Sequence, residues 1–309
     1  MKKQFVNRLL AVVFLSLTVF SSAVAATPRD IVPLEKSEIP APKAGQHHYF
    51  LACVDNWEGN PNRLGNTDGM IIVTLDTRVK RVLFATVTRE MLVKRPDDGI
   101  GRLTYVAKNY GPDALMETIG THFGVQLNKY ILFSMDNVQK IIDAMGGVYI
   151  TVTDAEADYL NRYRINRDST TPSMAKAGTY LFGGHAAVIY MRIRKVGNEG
   201  DAGRTRRMRT VLSTLAQKYD QITLAQAMEI LSAVTANTVQ TNMTMSDLMT
   251  AMGQAMELRG AVPEGIQIPS NEAMESITYA GMSTRQVDFE KAREEYREFL
   301  DDNFQVVDE

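Results

Sequence analysis

Cysteine is almost absent from this sequence, and so are the short motifs of several large enzyme classes. The 309 residues include one cysteine, Cys53, which excludes a disulfide framework within the chain. Its apolar neighbours Phe50, Leu51 and Val54 predict a strand in which the thiol is a small core group and not a nucleophile. The sequence has no Gly-x-Ser-x-Gly elbow, no His-Glu-x-x-His pair and no phosphate-loop lysine motif. It therefore gives no support to those hydrolase, protease or nucleotide-binding classes.

The sequence also lacks a strong excess of positive or negative charge. The 34 basic and 36 acidic residues leave a formal net charge of −2, so no field of the whole protein attracts nucleic acid. The four histidines are one adjacent pair and two isolated residues, which makes a zinc site improbable. Any functional charge must therefore be local, and no nucleic-acid partner is expected.

The N-terminal segment, residues 1–26, has the order of features typical of an export signal. Lys2, Lys3 and Arg8 precede an apolar run at 9–20, and a small-residue cleavage site follows at Ala23-Val24-Ala25. An uncleaved membrane anchor is the alternative, because an apolar stretch of about 18 residues is close to the shortest that spans a bilayer. The protein is predicted to be exported in either case.

The rest of the chain predicts a linker and one large folded domain. Residues 27–46 are expected to be an extended linker, because four prolines interrupt any periodic pattern. The domain is predicted over residues 47–309, and its 45% apolar composition is ordinary for a globular core.

Strand and helix patterns alternate in this domain. Helices are predicted from Pro112 and over 138–145, and apolar spacing beyond residue 201 predicts a mostly helical C-terminal part. A short turn predicts that the second and third strands pair as a hairpin. The fold class predicted is α/β, a three-layer α/β/α architecture with a mixed central sheet. The predicted strands are residues 49–54, 70–76, 81–87, 130–133, 148–152 and 188–193.

Six arginines lie between residues 190 and 209. Because residues two apart on a strand share a face, Arg192 and Arg194 on the predicted strand point the same way, about 7 Å apart. Two guanidinium groups at that separation can bracket a diphosphate, since their planar donors match phosphate oxygens in pairs. Ordinary ion pairs with nearby carboxylates are the alternative.

The helix predicted after this strand adds a third inward arginine. Asp201 is a suitable N-cap, and Arg204 lies in line with the apolar stripe that runs on to Leu215. Arg206 and Arg209 fall on the solvated side, and Arg207 lies at the boundary. Spacing by itself predicts a phosphate or carboxylate binder.

Two aspartates are expected at one edge of the sheet. Asp55 ends the first predicted strand and Asp68 opens the second. Mg²⁺ takes oxygen ligands and is commonly held by one or two carboxylates together with substrate phosphates. Aspartates at turns are also common for local hydrogen bonding, which is the alternative reading.

Taken together, these segments resemble the LytR-CpsA-Psr family of cell-envelope phosphotransferases. The similarity runs from about Tyr49 to the end of the arginine-rich helix, and its last segment is the most specific. The matching segments are Asp55, Asn66-Thr67-Asp68, Thr88-Arg89-Glu90, Tyr110-Gly111, Asp143-Ala144-Met145-Gly146-Gly147-Val148, and the block from Gly184 through Arg192-Ile193-Arg194-Lys195 to Gly200-Asp201-Ala202-Gly203-Arg204.

The resemblance implies a reaction and its partners. The donor would be a polyprenyl-pyrophosphate-linked glycan, such as teichoic acid or a capsular polysaccharide, with its lipid in an apolar cavity. The acceptor would be a peptidoglycan hydroxyl and the product a phosphodiester, at the membrane surface on the outer face of the cytoplasmic membrane or in the cell wall.

The resemblance also implies the site residues. Asp55 and Asp68 would hold Mg²⁺ in a magnesium-dependent enzyme. Arg89, Arg192, Arg194 and Arg204 would bind the pyrophosphate and act in catalysis with Asp201. Arg207 is an additional candidate for pyrophosphate binding.

The sequence departs from the family pattern at several informative places, which are Asn56-Trp57, Asn66 and Met208. Asn66 stands where an arginine is common, and Met208 where a glutamine is common. Both changes remove polar contacts. They leave two other functions open: an envelope protein that binds polyprenyl-linked glycans without turnover, and a pyrophosphatase of the same lipids that uses water as the acceptor.

Overall fold

The computed structural model describes residues 28–55, 64–162, 173–174, 176–197, 199–218 and 223–301. The predicted export segment lies outside these residues. In the part of the chain that is described, no helix is both long and apolar enough to cross a bilayer.

The centre of the domain is a six-stranded mixed sheet with the strand order β10-β3-β2-β1-β6-β9. β1 pairs antiparallel with β2 and parallel with β6, and β3 pairs antiparallel with β2 and parallel with β10. The predicted hairpin of β2 and β3 is confirmed. The strands of this sheet are β1 (Gln46–Val54), β2 (Thr67–Asp76), β3 (Arg81–Val87), β6 (Tyr130–Phe133), β9 (Gln240–Thr241) and β10 (Glu264–Ile268).

Six further strands form three small antiparallel pairs at the periphery of the described domain. They are β4 (Leu92–Lys94) with β5 (Ile100–Arg102), β7 (Val148–Val152) with β8 (Gly178–Phe182), and β11 (Met274–Tyr279) with β12 (Met282–Val287).

The helices lie on both faces of the central sheet. Two short 3-10 helices occupy Lys36–Glu38 and Leu103–Tyr105. The α-helices are α1 (Val106–Tyr110), α2 (Pro112–Phe123), α3 (Met135–Ala144), α4 (Asp154–Arg162), α5 (Gly184–Met191), α6 (Gly200–Gln217), α7 (Leu224–Ala236), α8 (Met245–Glu257) and α9 (Phe289–Leu300).

One face of the sheet forms the main core. The side chains of β1 alternate between buried and partly exposed, so Phe50, Ala52 and Val54 point to the same side. That side packs against α2 and α9, whose Phe123 and Phe299 belong to the same buried cluster. The opposite face is covered by α3, α5, α6, α7 and α8. The three-layer α/β/α prediction is therefore confirmed.

The predicted strand at 188–193 is wrong, because residues 188–191 form the end of α5 and Arg192 and Ile193 follow it. Residues 186, 187 and 188 are all buried, which a strand with one solvent-facing side does not allow and a helix packed on several sides does. Gly183 is the N-cap, and Arg192 follows the last turn as the C-cap. Packing around the whole helix has overridden the β-propensity of Val188 and Ile189.

Two other differences come from pairing over long sequence separations. Val148–Val152 is a strand, as predicted, but it pairs with β8 and lies outside the central sheet. The C-terminal part is largely helical, as predicted, and it also contributes β9 to β12. β10 completes the sheet by pairing with β3.

The segment predicted as a linker contributes to the domain. Ile31 is buried in the main core, and the backbone N–H of Leu34 donates to the carbonyl of Thr121 at 2.9 Å. The folded part therefore includes residues that precede His47.

Candidate functional site

An apolar cavity of about 430 Å³ lies between the central sheet and the helices on its second face. Alternation along β1 brings Tyr49, Leu51 and Cys53 to this face, and the cavity follows the strand over all three. The facing wall comes from α3, α5, α6, α7 and α8. The shape suits a flexible apolar chain bound along the strands.

Methionine is prominent in the wall of this cavity. Its unbranched, polarizable side chain adapts to irregular apolar ligands. The methionines lining the cavity are Met135, Met145, Met191, Met208 and Met243.

The position of Met208 shows what this departure from the family pattern does to the cavity. It lines the cavity and abuts Gly69, where an added Cβ would lie 3.1 Å from its sulfur. The side chain therefore extends the apolar wall towards the end of the sheet. Its substitution for glutamine makes the cavity more apolar at this point.

Cys53 lies at the same end of the cavity, opposite Gly69 in the β1–β2 ladder. Burial raises the pKa of its thiol to about 12, and the nearby Asp68 adds to the effect. The group is a neutral thiol at physiological pH, as predicted for a core cysteine.

Two arginines line the cavity beside Cys53. They are Arg192, which follows α5, and Arg204 in the second turn of α6. Arg204 points inward in line with Met208, as predicted from the helix period. Arg192 is exposed and does not lie on a strand, so the predicted geometry of a strand-borne arginine pair is wrong. The apolar cavity nevertheless ends at cationic groups.

Asp201 is the centre of a cluster of charged side chains at this end. Its Oδ1 lies 2.9 Å from Nε of Arg204, 3.5 Å from Nε of Arg89 and 4.0 Å from Nε of Arg194. Asp201 Oδ2 accepts a hydrogen bond from Nη2 of Arg204 at 3.2 Å. Asp201 belongs to the first turn of α6, whose N-cap is Glu199, so the predicted N-cap role is wrong.

Asp68 joins the same cluster from the sheet. Its carboxylate accepts from Nη1 of Arg89, and its carbonyl accepts from Nη1 of Arg204. The ladder has an irregularity here, because Cys53 faces Gly69 while Val54 faces Thr67. Asp68 is the extra residue of this bulge, and bulges commonly redirect a side chain at a functional site.

The cluster retains hydrogen-bonding capacity for an anion. The side chains of Arg89, Arg204 and Asp201 are only 11–13% exposed. In the described structure, Nε of Arg89, Nε of Arg204 and Oδ1 of Asp201 are buried and form ion pairs without a well-aligned hydrogen bond. Burial lowers the pKa of Arg204, and the Asp201 carboxylate opposes that shift. Buried donors of this kind favour a bound anion.

Asp55 is brought to the same edge of the sheet. Its backbone N–H donates to the carbonyl of Asn66 at 2.7 Å, and an added Cβ at Gly65 would lie 1.3 Å from the Asp55 carbonyl. The turn is therefore closed tightly behind an exposed Asp55 carboxylate. Asn66 keeps its Oδ1 buried without a hydrogen bond in the described structure.

Within the described ranges, no three His, Cys, Asp or Glu side chains are grouped so that they could hold a metal ion. Asp55 and Asp68 are thus a pair of carboxylates at most. A pair fits Mg²⁺ if substrate phosphate and water provide the other ligands.

Arg207 lies in the core and not in the cluster. Its side chain is 1% exposed, and its Nε lies 2.6 Å from Oε1 of Glu156, which is also buried. It also donates to the carbonyl of Ile193 at 3.1 Å and lies 3.3 Å from Glu199. These partners join α6 to α4 and to the segment after α5, so Arg207 is a structural residue and not a pyrophosphate ligand.

Arg206 and Arg209, which were both predicted to be solvated, differ in their exposure. Arg206 is exposed and pairs with Glu199 at 2.7 Å. Arg209 is half-buried and donates to Oγ1 of Thr86 at 2.7 Å, and burial lowers its pKa to about 10. The helix period placed it correctly away from the cavity, but β3 and β10 cover that side of α6.

Glu90 was not predicted as part of the site. Its carboxylate lies 3.5 Å from Nη2 of Arg89, and its carbonyl accepts from the backbone N–H of Arg285 at 3.1 Å. The sequence feature that could have indicated a role for Glu90 in the site is its position directly after Arg89 in the Thr88-Arg89-Glu90 segment.

The fold and site together define a protein suited to an amphiphile with a long apolar chain and an anionic head group. The family model of the LytR_cpsA_psr family matches residues 20–295. The chain therefore belongs to the LytR-CpsA-Psr family.

Curated relatives match part of their own length. Biofilm regulatory protein A of Streptococcus mutans is 30% identical over 190 residues, which are 59% of this chain and 46% of the relative. The polyisoprenyl-teichoic acid–peptidoglycan teichoic acid transferase TagU of Oceanobacillus iheyensis is 29% identical over 212 residues, 66% of this chain and 61% of the relative. The chain thus spans about half to three fifths of these relatives.

A solved structure of the family shares the fold. The LytR-CPS2A-psr family protein YwtF (TagT), with bound octaprenyl pyrophosphate lipid, superposes with a TM-score of 0.63 at 17% identity. The superposition covers 87% of this chain and 97% of that chain.

The buried pair of Arg207 and Glu156 predicts a stability effect without a binding effect. Arg207→Met is expected to lower the free energy of unfolding by about 3–5 kcal/mol, because it leaves the Glu156 carboxylate buried and unpaired. Urea unfolding measures this change. Arg206→Met is the matched control and should cost less than about 1 kcal/mol, since its ion pair is exposed.

A second measurement separates structure from function at this position. Under conditions where Arg207→Met remains folded, its affinity for a polyprenyl pyrophosphate should equal that of the parent chain. A large loss of affinity in the folded variant would show that Arg207 is a ligand after all.

Proposed function

We propose that this protein transfers a phosphate-linked glycopolymer from a polyprenyl-pyrophosphate carrier to peptidoglycan. The observation that carries the proposal is an apolar cavity that follows the strands and ends at the cluster of Arg89, Arg194, Arg204, Asp68 and Asp201. The names of relatives support it, since TagU is a polyisoprenyl-teichoic acid–peptidoglycan teichoic acid transferase and YwtF (TagT) holds octaprenyl pyrophosphate.

The cavity and the cluster divide the work of donor binding. The polyprenyl chain lies along the sheet, where each methylene removed from water contributes roughly 0.8 kcal/mol. Arg89, Arg204 and Arg194 bind the pyrophosphate, and Arg192 closes the mouth of the cavity beside them. Asp68 and Asp201 hold the guanidinium groups in place before the donor arrives.

The reaction is a phosphoryl transfer in which the glycan moves with its phosphate. The acceptor hydroxyl oxygen forms a bond to the phosphorus that carries the glycan. The bond from that phosphorus to the bridging oxygen breaks, polyprenyl phosphate leaves, and the hydroxyl proton is released to solvent in the net reaction. Negative charge grows on the bridging oxygen, and fixed arginine donors stabilise it, so catalysis depends on positioning and electrostatics.

We further propose that the enzyme is magnesium-dependent. Asp68 and Asp55 lie at one edge of the sheet next to the arginine cluster and would supply one or two of the ligands. A bound Mg²⁺ would neutralise pyrophosphate charge and orient its oxygens. Since the described residues offer two carboxylates at most, binding of the ion is expected to depend on the pyrophosphate.

The proposal places the active domain against a membrane, on the outer face of the cytoplasmic membrane or in the cell wall. Export rests on the sequence of residues 1–26. The membrane surface rests on two helices that line the cavity, α7 with Ile230 and α8 with Leu248. These helices also expose large apolar side chains outward, which are Leu224 at 59%, Met228 at 42%, Met245 at 56% and Met249 at 41%. Such a patch lets a lipid enter without crossing water.

The transfer itself is tested with the purified chain, a polyprenyl-pyrophosphate glycan, peptidoglycan and Mg²⁺. The parent chain should form a phosphodiester linkage detectable by mass spectrometry after glycan digestion. Arg204→Lys should slow transfer by about a hundredfold or more, because lysine keeps the charge but loses the planar fork. Arg206→Lys, on the outer side of the same helix, should retain the parent rate.

Other products would identify the alternative functions. Release of phosphorylated glycan into water without linkage would indicate a pyrophosphatase. Donor binding without either product would indicate a binding protein, as the loss of polar groups at Asn66 and Met208 suggests. Full transfer by Arg204→Lys would contradict the role assigned to that arginine.

Dependence of metal binding on the donor is a separate prediction. Mn²⁺, used in place of Mg²⁺ and followed by electron paramagnetic resonance, should bind weakly to the protein alone and at least about tenfold more tightly with a polyprenyl pyrophosphate. Asp68→Asn should remove most of this gain, whereas Asp98→Asn, 89% exposed and remote, should leave it unchanged. An equal gain in Asp68→Asn would exclude that residue as a ligand.

The outward apolar patch predicts that the chain binds membranes even when it is truncated to begin at Thr27. In flotation with vesicles of phosphatidylethanolamine and phosphatidylglycerol, Met228→Gln combined with Met249→Gln should lower the partition coefficient about tenfold or more, because two apolar side chains lose their burial. Tyr149→Gln changes an apolar residue that is 55% exposed on β7 and should have little effect. Equal partitioning of all three proteins would reject the patch as a membrane contact.

A further inference from the structure

A second cavity, which is mostly polar, is lined in part by Asp201. We name it the hairpin recess, because β11 and β12 form one of its walls. It has a volume of about 230 Å³, and its polar lining residues are Thr88, Asp201, Gln267, Asn271, Ser276 and Arg285, with Ala202 and Met274 completing the wall. Ligand clefts for drug-sized molecules measure about 300–1,000 Å³, so the recess has room for a single sugar ring.

The side chains of the recess are available for a ligand. As far as the described residues show, Asn271, Ser276 and Arg285 use their side chains in no hydrogen bond or ion pair. Gln267 donates to the carbonyl of Pro269 at 3.2 Å, which leaves its carbonyl oxygen as an acceptor. Hydroxyl, amide and guanidinium groups around a small polar cavity match the hydroxyl and amide substituents of a sugar.

The position of the recess is more informative than its composition. Asp201 lines the recess and lies 2.9 Å from Nε of Arg204, which lines the apolar cavity. The recess and the apolar cavity therefore adjoin at the Asp201–Arg204 pair. A phosphate bound on the arginine cluster would be next to both cavities. Phosphoryl transfer requires leaving group and nucleophile to reach the same phosphorus, which this adjacency allows.

The wall of the recess is held in a fixed relation to the arginine cluster. The backbone N–H of Arg285 donates to the carbonyl of Glu90 at 3.1 Å, and the backbone N–H of Thr88 donates to the carbonyl of Ile268 at 2.9 Å. Thr284 Oγ1 also donates to the carbonyl of Glu90. The β11–β12 hairpin and the end of β10 are thus attached to the turn that carries Arg89. A ligand in the recess is positioned by the same turn that binds the phosphate.

We infer that the hairpin recess is the acceptor subsite, where one sugar ring of a glycan strand is held with a hydroxyl directed at the phosphorus bound on the arginine cluster. The inference rests on the proposed function and deepens it. Asn271, Ser276 and Gln267 bind the substituents of the ring, and Arg285 binds a carbonyl or carboxylate of the acceptor. Asp201 separates the two substrates and positions Arg204. In the transfer, the acceptor oxygen replaces the bridging oxygen at phosphorus, and the hydroxyl proton is released to solvent.

The test measures donor and acceptor separately in the full chain. Asn271→Ala and Arg285→Gln should each raise KM for a soluble peptidoglycan oligosaccharide about tenfold, by removing hydrogen bonds to the acceptor. KM for the polyprenyl-pyrophosphate donor and release of glycan to water should stay within about twofold of the parent values. Glu272→Ala, an exposed neighbour of Asn271, is the matched control. Unchanged acceptor KM, or an equal rise in donor KM, would overturn the assignment.

A binding measurement keeps this test independent of transfer. Saturation-transfer NMR with the oligosaccharide and no donor should show contact with the parent chain and Glu272→Ala, and loss of contact in Asn271→Ala and Arg285→Gln. If the parent forms no linkage but shows this pattern, the transferase proposal fails while the recess stands as a glycan site. If transfer occurs and the variants bind like the parent, the recess assignment fails while the transferase stands. Thermal melting confirms that each variant is folded.

Discussion

The site depends on the way Asp201 holds several guanidinium groups together. Arg89, Arg194 and Arg204 approach one carboxylate from three segments of the chain, and two of them are almost buried. Guanidinium groups that share one carboxylate repel each other strongly when water is excluded. Asp201 and Asp68 offset this repulsion while leaving the Nε donors of Arg89 and Arg204 without a well-aligned hydrogen bond. The protein therefore holds its cationic groups in place and retains capacity for an anion.

The central sheet gives that cluster its apolar side. Alternation along β1 sends Phe50 and Ala52 to a filled core and Leu51 and Cys53 to a cavity. The two faces have similar composition, and they differ in what covers them. α2 and α9 pack closely on the first face, whereas the helices over the second face leave about 430 Å³. Met208 extends this apolar space to the edge of the cluster, at a position where the family commonly has glutamine.

The β11–β12 hairpin gives the cluster its polar side. Hydrogen bonds to the Glu90 carbonyl attach it to the turn of Arg89, although nearly 200 residues separate these segments along the chain. The apolar cavity and the polar recess thus both adjoin the charged cluster, the first at Arg204 and the second at Asp201.

Local pattern in the sequence determined much of the fold and part of the site. Strand periodicity predicted β1, β2, β3 and β6, and helix periodicity placed Arg204 inward, because both depend on side-chain direction within one element. Contacts between distant segments decided the rest. Packing on several sides made 184–191 a helix, the partner Glu156 made Arg207 a core residue, and β3 and β10 covered Arg209. Asp201 lies in the centre of the cluster because α6, the β2 bulge and the Arg89 turn meet there, and no local pattern encodes that meeting.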